Sequence, residues 1–168
     1  MTTPAHSAVI VVGLQPGFAP GIVRTAAEFA HRFHASLLCV TVDASLLSLG
    51  KRADGSEMIE PLDPDTADST PRGLSDDETD AVRTIAGENR VPVDFLLRAG
   101  MPARALAAVA EDHDAGLIVV GTDSGRQRIG EFFNGSVAAR LAHQQHRPVV
   151  VVPSNPVGLD DPLPWDAS

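Results

Sequence analysis

The sequence predicts an α/β protein built on an open, doubly wound parallel sheet of five strands, with helices on both faces. Three observations lead there. Short β-branched runs alternate along the chain with amphipathic stretches of helical period. The runs are apolar throughout rather than every second residue, as expected of strands covered on both faces. Glycine or aspartate closes most of them. Leu, Ile, Val and Phe supply 45 of the 168 residues, above the roughly 20% below which chains tend to stay disordered. One core serves roughly 100 to 200 residues, so a single domain is expected over 1–153, followed by a Pro-rich acidic tail at 154–168.

The elements follow in order. SAVIVVG (Ser7–Gly13) reads as a first buried strand ended by glycine. After the turn LQPGFAP, the stretch Pro20–His34 spaces Ile22, Val23, Ala26, Ala27, Phe29, Ala30 and Phe33 at helical intervals, with Pro20 suited to the first turn. SLLCVTV (Ser36–Val42) repeats the buried-strand pattern, and the three together form a right-handed βαβ unit. Residues 43–73 carry Pro61, Pro64 and Pro71, several aspartates and no sustained period, and are read as a loop or partly disordered insertion. SDDE starts a helix to about Asn89: Ser75 caps, Glu78 completes a capping box, and Asp76 and Asp77 favour the positive helix end. Val91–Arg98 is a third strand, and Pro102 opens a helix to about His113. Gly116–Gly121 and Pro148–Val152 are the fourth and fifth strands, joined by a helix from Gly135 to about Gln145.

A net charge of −9 argues against generic binding to nucleic acid or anionic membranes, both of which rest on Lys and Arg. The acidity is local: residues 43–80 hold 11 of the 22 acids against three bases. No apolar run approaches the roughly 18 residues of a membrane span, and no signal-peptide pattern opens the chain, so a soluble cytoplasmic protein is expected. The single cysteine, Cys39, reads as a buried small hydrophobe.

In open parallel sheets ligands gather outside the carboxyl ends of the strands, where strand order reverses. The loops to weigh follow Gly13, Val42 and Gly121. The third stands out: LIVVG is followed by TDSGRQRIGEFFNGSVA, with Gly121, Gly125, Gly130 and Gly135 ahead of a helix. Glycines let backbone N–H groups approach an anion, and a helix N-terminus adds partial positive charge. Ser136 can donate a hydroxyl, and Arg126 and Arg128 complement a polyphosphate. No GxxxxGK[ST] or GxGxxG is present, so a flexible βα loop with a glycine cap is an equally good reading on loop chemistry alone. Asp123 could take part in holding Mg2+ beside a nucleotide, against the plainer reading of a solvated loop carboxylate.

GLIVVGTDSGRQRIGEFFNGSVAARLAHQQHRPVVVVP resembles the C-terminal signature of the universal stress protein family, a Gly-rich loop of form GxxGx9G[ST] between a strand and a helix. Gly125, residues 126–134 and Gly135-Ser136 match its second part. LLRAGMPARALAAVAEDHDAGLIVVG resembles the family's strand, Gly-x-Pro turn and helix through Gly100 and Pro102, and AVIVVG with AAEFAHRFHASLLCVTV its opening βαβ unit. The chain departs from the pattern at three points. Three residues separate Gly121 from Gly125 where the family has two. Gly13 stands where nucleotide-binding members carry an aspartate, and Thr41 where a histidine is common. The resemblance implies a Rossmann-like sheet of the adenine nucleotide alpha hydrolase kind. It also implies a site for ATP or another adenine nucleotide: Gly121, Gly125, Gly135 and Ser136 on phosphate and ribose, Val42 near the base, and Gly13, Thr122, Arg126 and Val137 alongside. Family members divide between ATP binders and relatives that bind none, so a dimeric interaction module acting through protein partners is the other reading. The resemblance also implies a homodimer through the last strand, Val149–Val152, an apolar run that needs covering if it lies at an edge.

No positioned base or nucleophile elbow is visible, so any ATP hydrolysis would be slow. His31 with His34, and His143 with His146, are three apart and could each be half of a metal site. Their place near helix C-termini favours a surface role. His113, at another helix end, is read the same way.

Overall fold

A computed structural model describes residues 8–63, 70–122, 137–154, 156 and 158–162. In chain order the elements are β1 (Val9–Leu14), α1 (Pro20–Phe33), β2 (Ser36–Asp43), β3 (Leu46–Lys51), β4 (Glu57–Pro61), α2 (Asp76–Glu88), β5 (Val93–Ala99), α3 (Pro102–Asp112), β6 (Leu117–Gly121), α4 (Val137–Gln144) and β7 (Val149–Val152). Five strands form one sheet in the order β5-β2-β1-β6-β7, and every pairing in it is parallel. The predicted α/β class and doubly wound sheet are what the chain adopts.

The continuous apolar runs are explained by burial on both faces. Along β1, Ile10, Val12 and Leu14 pack with Ile22, Val23 and Ala26 of α1 and with Val82 and Ile85 of α2. Val11 points the other way, into a second cluster with Leu106 and Val109 of α3, Ile118 and Val120 of β6, and Leu141 of α4. Successive strand residues face opposite sides, so a sheet sandwiched between two helical layers leaves no position for a polar residue. Thr41 is the one buried polar side chain among the described residues.

The helix starts follow from local chemistry. Pro20 and Pro102 occupy the first turns of α1 and α3, where a missing N–H costs nothing. The capping box at α2 is present in full, with the Ser75 hydroxyl accepting from the Glu78 N–H and the Glu78 carboxylate accepting from the Ser75 N–H. The turns after α1, α2 and α3 each place a non-glycine residue in the left-handed region: His34, Arg90 and Asp114, at φ 53°, 56° and 46°.

The insertion differs from expectation. Residues 46–61 of the stretch read as a loop form an antiparallel hairpin, β3 with β4, from Leu46 opposite Pro61 to Lys51 opposite Glu57. Its turn is closed by the Arg52 N–H on the Ser56 carbonyl and the Gly55 N–H on the Arg52 carbonyl, with Gly55 at φ 86°. Leu46 is buried while Leu47 and Leu49 are exposed. Both ends of the excursion meet on one carboxylate. Asp43 accepts from the Ser45 N–H and hydroxyl (2.9 and 2.6 Å) and from the Arg72 N–H (2.8 Å). Burial would raise the Asp43 pKa, but these hydrogen bonds outweigh it and the carboxyl lies below its ordinary value.

Candidate functional site

The chain runs outward from β1 to β2 to β5, then crosses back to β6 and on to β7. Strand order therefore reverses between β1 and β6, and by the rule for open parallel sheets a ligand crevice is expected outside their carboxyl ends. The residues bordering it come from the ends of β1, β2 and β6 and from the turns that follow.

Gly13 lies at the end of β1, paired in register with Val40. A Cβ there would stand 2.9 Å from Leu106 Cδ1 and 3.2 Å from Val120 Cγ1, so packing against α3 favours glycine. Gly121 ends β6 and is held to glycine on the opposite face, where a Cβ would meet Ile22 Cδ1 at 2.4 Å and the Ser154 hydroxyl at 2.7 Å. Pairing of β2 with β1 stops at Thr41, whereas pairing with β5 continues through Val42 and Asp43. Val42 thus stands beyond the last β1 partner, next to the crevice. Val137 opens α4, and its side chain packs into the α3-side cluster. Gly125, Arg126, Gly135 and Ser136, with Asp123, Arg128 and Gly130, lie outside the described residues.

Two tethers at this end of the sheet were not anticipated. Thr122 is clasped by Ser154: the Ser154 N–H donates to Thr122 Oγ1 at 2.8 Å, and the Ser154 hydroxyl donates to the Thr122 carbonyl at 2.7 Å. The segment after β7 is thereby fixed over the carboxyl end of β6. The second tether binds the β1–α1 turn to α2, through the Gly17 N–H donating to Glu78 Oε1 at 2.6 Å. Gly17 sits at φ 79°, a backbone conformation that favours glycine. The Gly17 and Ser75 N–H groups hold the Glu78 carboxyl below its ordinary pKa, with burial opposing weakly. The capping box was visible as S-x-x-E spacing. No local signal marks its second partner, 61 residues away.

A hollow of about 370 Å³ lies between α3 and α4, lined by Met101, Ala103, Arg104, Ala107, Leu141 and Gln144, and includes none of the crevice residues. Among the described residues no three His, Cys, Asp or Glu side chains come together as a metal-holding group, and no helix is long and apolar enough to cross a membrane. Among the described residues the last strand is at a sheet edge, paired only with β6, and Val151 is 45% exposed.

These features define an open, doubly wound α/β protein with a topological switch point between β1 and β6. The sequence pattern of the universal stress protein family matches residues 8–153, and the chain belongs to that family. Several solved structures share the fold. The universal stress protein UspA from Lactobacillus plantarum is 18% identical with a TM-score of 0.57, the match covering 88% of this chain and 99% of that one. A universal stress protein in complex with cAMP is 20% identical with a TM-score of 0.56, over 89% and 98% of the two chains. The universal stress protein from Archaeoglobus fulgidus in complex with dAMP is 18% identical with a TM-score of 0.52, over 86% and 97%. Among curated proteins none matches in sequence.

Proposed function

We propose that the protein is a regulatory protein that binds an adenine nucleotide, ATP or a relative, at the carboxyl ends of β1, β2 and β6. The observation that carries this reading is the reversal of strand order between β1 and β6, which opens a crevice bordered by Val42, Gly121 and Thr122. Membership of the family supports it, as do the cAMP and dAMP complexes of two proteins of the same fold. In this reading Gly121, Gly125, Gly135 and Ser136 contact phosphate and ribose, Arg126 balances phosphate charge, Val42 offers backbone groups to the base, and Mg2+ accompanies a polyphosphate. Gly13 brings no carboxylate, so recognition of the base rests on backbone groups.

The test is to denature freshly purified protein, identify any released nucleotide by chromatography and mass, and titrate ATP with Mg2+, ADP, AMP and cyclic AMP by calorimetry. Stoichiometric adenine nucleotide, or micromolar binding abolished by Gly135→Val, is expected. An empty protein that ignores all four ligands overturns the reading. That outcome would favour the interaction module, for which the hairpin with Leu47 and Leu49 exposed on one strand is the specific support. In either reading the proposed dimer forms across the outer edge of β7 at Val149–Val152, where exposed Val151 calls for a partner. Sedimentation of wild type against Val151→Lys tests it, with loss of dimer expected.

A further inference from the structure

We propose that a hollow at the amino ends of the strands, opposite the crevice, is a binding site for a phosphate group. It measures about 200 Å³ and lies between the last turn of α1 and the turn after α2. Three of its lining residues carry cationic or imidazole side chains, His31, His34 and Arg90, and none carries a carboxylate. Glu28 and Glu88, the acids nearest to these residues along α1 and α2, do not line it.

One of the three exposed donors is held in orientation by the backbone. His31 Nδ1 lies 3.0 Å from the Asn89 carbonyl. A carbonyl only accepts, so Nδ1 carries the hydrogen and Nε2 is the nitrogen left to a ligand. His34 and Arg90 sit at φ 53° and 56°, at helix ends where glycine is usual. The chain therefore forgoes glycine at both positions, and both residues line the same hollow. Among the described residues neither the Arg90 guanidinium nor the His34 ring has a hydrogen-bond or ion-pair partner.

Chemistry selects the ligand. Guanidinium presents paired N–H donors that match phosphate oxygens. A carboxylate only accepts, whereas a phosphate can also donate its P–OH to a neutral imidazole nitrogen, so it satisfies this set whichever form the rings take. The volume is below the roughly 300–1,000 Å³ of pockets that enclose drug-sized ligands, consistent with inorganic phosphate or the phosphate end of a monoester. The site is separate from the crevice and does not depend on nucleotide binding.

The full chain, labelled with 15N, would be titrated with inorganic phosphate and with methyl phosphate while the imidazole resonances are followed, with sodium acetate at matched ionic strength as control. Saturable shifts of His31 and His34 at low millimolar phosphate are expected, with His113, His143 and His146 unmoved. Losing the charge-assisted bonds of the guanidinium in Arg90→Gly should weaken binding about tenfold or more. Arg90→Gly and His34→Gly place glycine in the left-handed region, so both should fold with a Tm at or above that of wild type. Equal binding of the two phosphates means the site reads the group on a carrier; binding of inorganic phosphate alone means the free ion is the ligand. Shifts that fail to saturate, that acetate reproduces, or that persist unchanged in Arg90→Gly overturn the proposal.

Discussion

Replacing Glu78 removes two connections at once, the return half of the α2 capping box and the tie to the β1–α1 turn. In the folded chain Glu78 Oε2 accepts from the Ser75 N–H at 2.9 Å, and Oε1 accepts from the Gly17 N–H at 2.6 Å. A helix-cap interaction is worth about 1 kcal/mol. A hydrogen bond to a charged group is worth about 1.5–3 kcal/mol, reduced here to about 1 because the carboxylate is largely exposed and water competes for it. Glu78→Ala should therefore cost about 2 kcal/mol, or roughly 4–8 °C in Tm for a chain of this length. Glu78→Gln keeps a side chain that serves the capping box but makes the acceptor neutral, which about halves each bond and costs about 1 kcal/mol. The pH dependence has a definite sign. Gly17 foremost, and then Ser75, lowers the folded pKa below its ordinary 4.5. The contribution of the charge is then complete above that value and is lost as pH falls through the folded pKa. Urea unfolding followed by circular dichroism at pH 7, 5 and 3.5 should show the wild-type advantage over Glu78→Gln at the first two and its shrinkage at the third. An Ala variant as stable as wild type at pH 7, or a Gln difference that is undiminished at pH 3.5, would refute the reasoning.

Gly121→Ala would place a methyl against Ile22 Cδ1 at 2.4 Å and against the Ser154 hydroxyl, which is engaged with the Thr122 carbonyl. Overpacking of this kind costs about 1–3 kcal/mol, and a lowered urea midpoint is expected. Arg147 has a side chain only 9% exposed, and its Nε donates to the Ala115 carbonyl at 2.8 Å. Loss of that charged donor in Arg147→Ala should cost about 1.5–3 kcal/mol, read by thermal unfolding, with Arg147→Lys failing to restore it fully because Lys has no planar fork. Burial pushes the Cys39 thiol up to about 12. The native protein should stay inert to a thiol reagent at pH 8 and react only on unfolding; prompt labelling of folded protein would contradict its place in the core.

The sheet and its helices were legible because burial on both faces writes itself into consecutive residues. VIVV at β1 and LIVV at β6 need no context to be recognised as covered strands. The hairpin escaped because all of β3 except Leu46 is exposed, so apolar alternation never develops. The signal that was there is Asp54-Gly55, a turn pair between two short runs able to pair. At the crevice, the sequence identified which glycines to ask about but not why they are glycine. Gly13 answers to Leu106 and Gly121 to Ile22, contacts across sheet layers that no spacing rule reports. The Ser154 clasp was equally hidden, since it joins two positions 32 residues apart through a hydroxyl and a carbonyl.

The meeting of Ser45 and Arg72 on the Asp43 carboxylate gives the chain a gate with both posts set in the same foundation. Seen from the sheet, the excursion leaves and returns at one point, and closing a longer or shorter path between fixed posts changes the free energy only as the logarithm of its length. The core thus keeps its register whatever is carried there. Asp43 makes this stretch a socket, a place where the length of the excursion can change without redesigning the fold that carries it.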